Sequence, residues 1–273
     1  MTVTAIDDGQ AAIRSASRTR LLSDFAAPVA GVAIALALWW AAGLIIDASP
    51  RFLAFRGFTV DRTFAAFGHI VASGEAWRAS APSLHRVVQG LGWAFLLGAP
   101  VGLAVGSSVL MERTVHLPFQ ILRMVSPLAW MPIAVLAFPT WDGAIVFLIT
   151  AAAVWPIVFA TAAGVKRIDP VWLAMARNLG GSRSAILARI VVPAVAQDIL
   201  TGLRLALGVA WIVLVPAEFL GVTSGLGYAI NDARDTLSYD RLSALVLLIG
   251  FIGFALDALI GVAVARARWT QTS

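Results

Sequence analysis

Six apolar runs, each close to the length of a bilayer crossing, limit what this chain can fold into. They are Pro28–Ile46, Val87–Gly106, Ile121–Phe138, Gly143–Gly164, Ile199–Leu220 and Leu242–Ala265. About 20 residues of helix span about 30 Å of hydrocarbon. A segment surrounded by lipid must satisfy its backbone N–H and C=O groups internally, so each run reads as an α-helix. A transmembrane barrel shows apolar and polar residues alternating over about ten positions, whereas these runs are continuous. Of the 273 residues, 60% are hydrophobic and only 13% charged; soluble domains carry roughly a quarter. The expectation is an all-α membrane protein with about six transmembrane helices. The third run holds Pro127 and Pro132, with Pro139 just after it, which predicts a kinked or broken helix.

Lys and Arg set the expected orientation. They gather at Arg14, Arg18, Arg20, Arg113, Lys166, Arg167, Arg177, Arg183, Arg189, Arg266 and Arg268, all on one side if the N-terminus is inside. The positive-inside rule then puts both termini in the cytoplasm. The loop after the first run departs from this with Arg51, Arg56, Arg62 and Arg78, but long loops count less. Within it, Phe64, Phe67, Ile70 and Val71 recur at helical spacing, as in an amphipathic helix on the outer interface. The first apolar run begins too far from Met1 for a cleaved signal peptide, so the polar tail is expected to stay. The chain divides into a cytoplasmic tail (1–27), a first helix with an outer loop (28–83), a core (84–265) containing a polar loop (166–193), and a second cytoplasmic tail (266–273). A net charge of +5, spread between apolar runs, suits anionic lipid rather than nucleic acid. With no cysteine, neither a disulfide nor a thiolate metal site is possible. His69, His85 and His116 lack metal-ligand spacing, so no metal is expected.

The polar loop is the least membrane-like part of the core: "KRIDPVWLAMARNLGGSRSAILARIVVP". Asp169 can cap a helix with Pro170 in its first turn. Gly180 and Gly181 end that helix. Ser182 then caps a second, basic helix carrying Arg183 and Arg189 and expected to stop at Pro193. Two readings of this ordered elbow stand: a docking knob for a partner, or an interfacial helix flat on the inner leaflet.

The loop resembles the EAA loop of ABC-importer permeases. That motif is written EAA, three residues, G, nine residues, I, one residue, LP. Here Ala174, Met175 and Ala176 stand at the EAA positions, followed by Gly180, Ile190, Val192 for the Leu, and Pro193. "SPLAWMPIAVLAF", "FLITAAAVWPIVFATAAGV", "LTGLRLALGVAWIVLVPAEFLG" and "SGLGYAINDARDTLSYDRL" are similar, in order, to the branch serving nitrate, bicarbonate, taurine and alkanesulfonate. The resemblance implies a type I ABC importer (MetI-like) permease fold in a bacterial inner membrane, with a cytoplasmic coupling helix. It implies a second permease copy, two cytoplasmic ATPase subunits that hold ATP and Mg, and an extracytoplasmic solute-binding protein. No cofactor is implied for this chain, and no G-x-x-x-x-G-K-[ST] occurs in it. The family's Glu is replaced by Ala174, which leaves Arg177 and Arg183 as polar contacts.

Four further expectations concern charges and the path. Arg204 and Asp257, each inside a run, are predicted to pair as a structural brace, because a lone charge in lipid is expensive. The resemblance places an outer-gate loop at Ser224, Gly225, Gly227 and Tyr228, which by itself also reads as an ordinary tight turn; Glu218 is read as bracing that gate, with simple solvation at a helix end as the other reading. Ser126, Pro127 and Trp130 are placed along the translocation path, where a broken helix exposes N–H groups to a small oxyanion. Arg86, at the outer start of the second run, is read as a headgroup anchor, with attraction of anions as the other reading. A secondary transporter would need coupling acids deep in its spans, and an enzyme a cluster of nucleophile, base or metal ligands; the sequence displays neither. The alternative kept open is a transporter or channel for small solutes without an ATPase.

Overall fold

Proline decides where the third apolar run breaks. The structure, a computed structural model, describes residues 4–269, with side chains from 26 to 266 except Leu53. The side chains of Asp7, Asp8, Arg14, Arg18, Arg20, Arg268 and Trp269, which the sequence assigns to the tails, lie outside that set. Helix α4 runs from Val109 to Met124, and Pro127–Trp130 forms a 3-10 turn leading into α5, Met131–Ala137. The two arms bend by 87°. Ser126 is held extended (φ −58°, ψ 126°), as a residue before proline must be. The run expected as one span, Ile121–Phe138, is therefore a bent pair whose first arm starts at Val109. A continuous helix there would clash with the Pro127 ring.

The other elements are α1 (Thr4–Ala48), a 3-10 stretch (Pro50–Phe58), α2 (Val60–Ala72), α3 (Glu75–Ser107), α6 (Trp141–Lys166), α7 (Pro170–Asn178), α8 (Arg183–Ile186), α9 (Val192–Gly221), α10 (Leu226–Asp235) and α11 (Tyr239–Trp269). Among the described residues there is no strand. Five segments are long and apolar enough to cross a membrane, and the bent pair makes a sixth. The second basic helix does not stop at Pro193. A π-turn, Leu187–Val191, joins α8 to α9. In that wider turn the N–H of Val192 bonds to the Leu187 carbonyl, which lets proline enter the first turn of α9 without breaking the helix.

The core is α6, with α3 on one side and α9 on the other. Ile145, Leu148, Ile149, Ile157 and Leu214 are fully buried there. Along α3, Gly90, Gly98, Gly102 and Gly106 face Ile149, Ile157, Thr161 and Val165 of α6. A Cβ on Gly90 would lie 2.4 Å from the Ile149 side chain, and one on Gly102 would lie 2.6 Å from Thr161. Lipid is as apolar as leucine, so such close backbone approach and dispersion drive helix pairing in a bilayer. The amphipathic α2 buries Thr63 and Ile70. It lies on α11 through a Thr63–Ser243 hydroxyl bond of 2.8 Å and the Phe67–Phe251 ring contact. Phe64 and Val71, expected on its apolar face, are exposed.

Two alanine substitutions in α3 should move stability in opposite directions. Gly102→Ala drives a methyl into Thr161 and the Val158 carbonyl, for an expected loss of about 1–3 kcal/mol. Gly92→Ala meets open space and should gain up to about 1 kcal/mol in helix propensity. Thermal unfolding of the detergent-purified protein reads both, and equal behaviour would refute the packing account.

Candidate functional site

The elbow after α6 is built by local capping. The Val171 N–H bonds to the Asp169 carboxylate at 2.8 Å, with Pro170 in the first turn of α7. At the other end the Gly181 N–H reaches back to the Ala176 carbonyl at 3.0 Å, and Gly180 takes φ +77°. That left-handed conformation strains any residue with a Cβ. Ser182 then caps α8, accepting the Ala185 N–H. Leu173 and Ile186 turn inward against the core, and Ile190 is half-buried. On the opposite face Trp172, Met175 and Leu179 stay exposed, Leu179 at 82%. Their spacing aligns them in one stripe. Ala174, Arg177, Arg183 and Pro193 are exposed and Ala176 is half-buried. Among the described residues neither Arg177 nor Arg183 forms an ion pair.

At the opposite end of the bundle a buried network joins α3, α9 and α10. Glu218 on α9 is fully buried and Arg86 on α3 nearly so. Arg86 Nη1 donates to Glu218 at 2.5 Å and to the Ser224 carbonyl at 2.9 Å, while Nη2 donates to the Ser224 hydroxyl at 2.9 Å. Its Nε donates to Asp142, at the start of α6, at 2.7 Å. Ser83 donates to Glu218 at 2.8 Å and accepts the Leu226 N–H at 2.8 Å. The Gly227 N–H donates to Glu218 at 2.9 Å. Gly225 has φ +110°, and a Cβ there would sit 2.5 Å from the Glu218 carboxylate. Glu218 thus closes the first turn of α10, and solvation at a helix end is ruled out for it. Arg86 is no headgroup anchor: its guanidinium points inward, because an otherwise unpaired buried carboxylate demands it. Tyr228, one residue past Gly227, is half-buried on α10.

A cleft of about 670 Å³ opens between the α4–α5 break and the faces of α6 and α9. Pro127, Trp130, Phe147 and Trp155 line it. Ser126 is exposed at the bend, its carbonyl accepting the Ala129 N–H. A second cleft of about 620 Å³ lies against the Arg86 network and includes Gln89, Thr140 and Ser224. Phe147 borders both clefts and packs on Phe138, ring centres 5.4 Å apart. The structure therefore puts Pro127 and Trp130 on one cleft and Ser224 on the other. Arg204 grips Asp257 with two bonds, of 2.7 and 2.5 Å, joining α9 to α11. The predicted pair is thus formed, and it is about half-exposed.

Sequence reasoning missed Ser83 and Arg123. Arg123 also lines the first cleft, its guanidinium 5.1 Å from the centre of the Phe159 ring. The signal for Arg123 was present: it is a charge inside the run Ile121–Phe138, which lipid tolerates only with a purpose.

A cleft framed by a broken helix, on a scaffold of membrane-crossing helices, is the architecture of a transport permease. Residues 94–269 match the family described as binding-protein-dependent transport system inner membrane component, and the chain belongs to it, with the type I ABC permease fold. It is 37% identical over 193 residues to the nitrate import permease protein NrtB of Leptolyngbya laminosa, covering 71% of this chain and 69% of that protein. It is 33% identical over 227 residues to the taurine transport system permease protein TauC of Escherichia coli, covering 83% and 82%. Against the bicarbonate transport system permease protein CmpB of Synechococcus elongatus it is 39% identical over 186 residues, covering 67% and 66%.

Replacing Arg86 alone by Met leaves Glu218 charged and unpaired, which should lower stability by about 3–5 kcal/mol. The double variant Arg86→Met/Glu218→Met should be more stable than Arg86→Met. Thermal unfolding of both checks this, and additive losses would show that the two side chains act independently.

Proposed function

We propose that this chain, as a homodimer, forms the membrane pathway of an ATP-driven importer of a small oxyanion, nitrate or a sulfonate such as taurine. Two cytoplasmic ATPase subunits, each holding ATP and Mg, grip α7 of the two copies. An extracytoplasmic binding protein delivers the solute at the α10 end. Both termini then face the cytoplasm of a bacterial cell, and this chain itself binds no cofactor and performs no chemistry.

The observation that carries this reading is the free apolar stripe of Trp172, Met175 and Leu179 on a capped helix braced from behind by Leu173. A rigid helix with an uncovered apolar face and flanking Arg177 and Arg183 suits insertion into a groove on a soluble partner. Motion of that partner is then transmitted through α8 and the π-turn into α9 without a flexible joint. At the far end Glu218 holds α10 to α3 and α9, so the outer gate at Ser224 and Gly225 moves with those helices. Relatives named for nitrate, taurine and bicarbonate support an oxyanion. Each of those solutes presents charged oxygen atoms to donors.

Met175→Glu/Leu179→Glu should cut recovery of the ATPase subunit with the tagged permease by tenfold or more, since losing an interface anchor removes about 2 kcal/mol or more. The permease's own thermal unfolding should stay unchanged, because both side chains are exposed. Full recovery of the ATPase with this variant would overturn the docking role.

A further inference from the structure

Arg86, Arg123 and Arg204 lie on helices that form candidate spans, and they differ in what neutralises them. Arg86 pairs with Glu218 and Asp142, and Arg204 with Asp257. Arg123, on the last turn of α4, stacks on Phe159 and has no carboxylate partner among the described residues. An aromatic face offsets only part of a cation's charge. A cation at the break of a bent span, beside a cleft and not braced by an acid, is placed to meet ions or substrate.

The surroundings of Arg123 extend this. The 670 Å³ cleft meets, at Arg123 and Phe159, a hollow of about 290 Å³ bordered by Gln120 and His116. His116 in turn borders a third hollow, of about 460 Å³, with Glu112 and Arg113. Arg113, His116, Gln120 and Arg123 recur at helical spacing and so share one face of α4. Glu112 is taken up by Lys166, next to the elbow. The three hollows therefore form a row from the α4–α5 break to the elbow end, with hydrogen-bond donors along one wall.

We infer that Arg123 receives the permeating oxyanion in the cleft and that the Arg123–Gln120–His116–Arg113 face of α4 is its exit path. This deepens the importer reading and rests on it. A planar guanidinium matches a carboxylate, nitrate or sulfonate edge with two parallel hydrogen bonds. Arg123 is solvent-exposed at the cleft, and the apolar walls beside it, Trp130, Phe147 and Trp155, offer no competing hydrogen-bond acceptor from their side chains. Passage also needs release, and successive weaker donors down the helix provide it. The same face accounts for selection against cations, which meet positive charge at the cleft and again at Arg113.

The chain has no cysteine, so a single Ala151→Cys, which lines the cleft, reports on it alone. In the complete importer in lipid nanodiscs, its modification rate is measured with methanethiosulfonate ethylsulfonate and with the trimethylammonium reagent of similar size. Each rate is normalised to a free thiol. The anionic reagent should react about tenfold faster or more, as expected for a unit charge about 10 Å away, lining the same cleft, at an effective dielectric constant near 20. Adding Arg123→Gln should bring the ratio to within about twofold of one, and Arg123→Lys should keep it above that. A ratio unchanged by Arg123→Gln, a cation preference in Ala151→Cys alone, or a thiol unreactive towards both reagents would each overturn the inference. None of these touches ATPase docking, so failure here and failure of the importer reading are told apart.

Discussion

Where α3 crosses α6, Gly90, Gly102 and Gly106 leave no room even for a methyl group and Gly98 leaves little, so the two backbones approach closely. In lipid there is no hydrophobic gain from pairing one apolar surface with another, so this intimacy and the dispersion contacts it multiplies hold the bundle together. Gly202 extends the arrangement to α9, where an added Cβ would lie 2.8 Å from Ala160. With three helices locked in register, the polar side chains they carry have fixed addresses. Ser83 and Arg86 of α3 come to the level of Glu218 on α9 and Asp142 on α6, and α10 is folded onto that group.

The charges inside the spans then divide by what surrounds them. Burying a carboxylate and a guanidinium is tolerable only when their remaining donors and acceptors are also used. Around Glu218 they are: Arg86, Ser83 and the Gly227 N–H all point at one carboxylate. The Arg204–Asp257 pair needs less, being half-exposed. Among the described residues Arg123 has only an aromatic face, beside a cleft. A brace, a clasp and a receptor for an anion are thus built from the same residue type, distinguished by the partner each is given.

At the other end of the bundle, order in the elbow comes from short-range chemistry. Asp169, Gly180 and Ser182 cap successive turns, and the π-turn absorbs Pro193 so that α8 and α9 are mechanically continuous. The apolar stripe of α7 is left uncovered by its own chain. The span holding the break and the span joined to the elbow both flank α6, so displacement of the elbow and reshaping of the cleft share one rigid element.

Much of this was legible before any coordinates. Run length dictated the crossings, Pro127 the break, and the caps at Asp169, Gly180 and Ser182 the elbow, since each depends on residues a few positions apart. The end of the second basic helix was misread, because proline after a π-turn resembles proline after a helix stop. Arg86 was misread for a different reason: it meets Glu218, 132 residues away, and no local pattern says which distant acid a basic residue will meet. Sequence alone therefore determined that this chain crosses a membrane as helices, where it bends and where it forms a capped polar elbow. Only the tertiary structure decided which charges are cancelled and which remain to act, because in a low-dielectric interior that choice depends on helix packing between segments far apart in the chain.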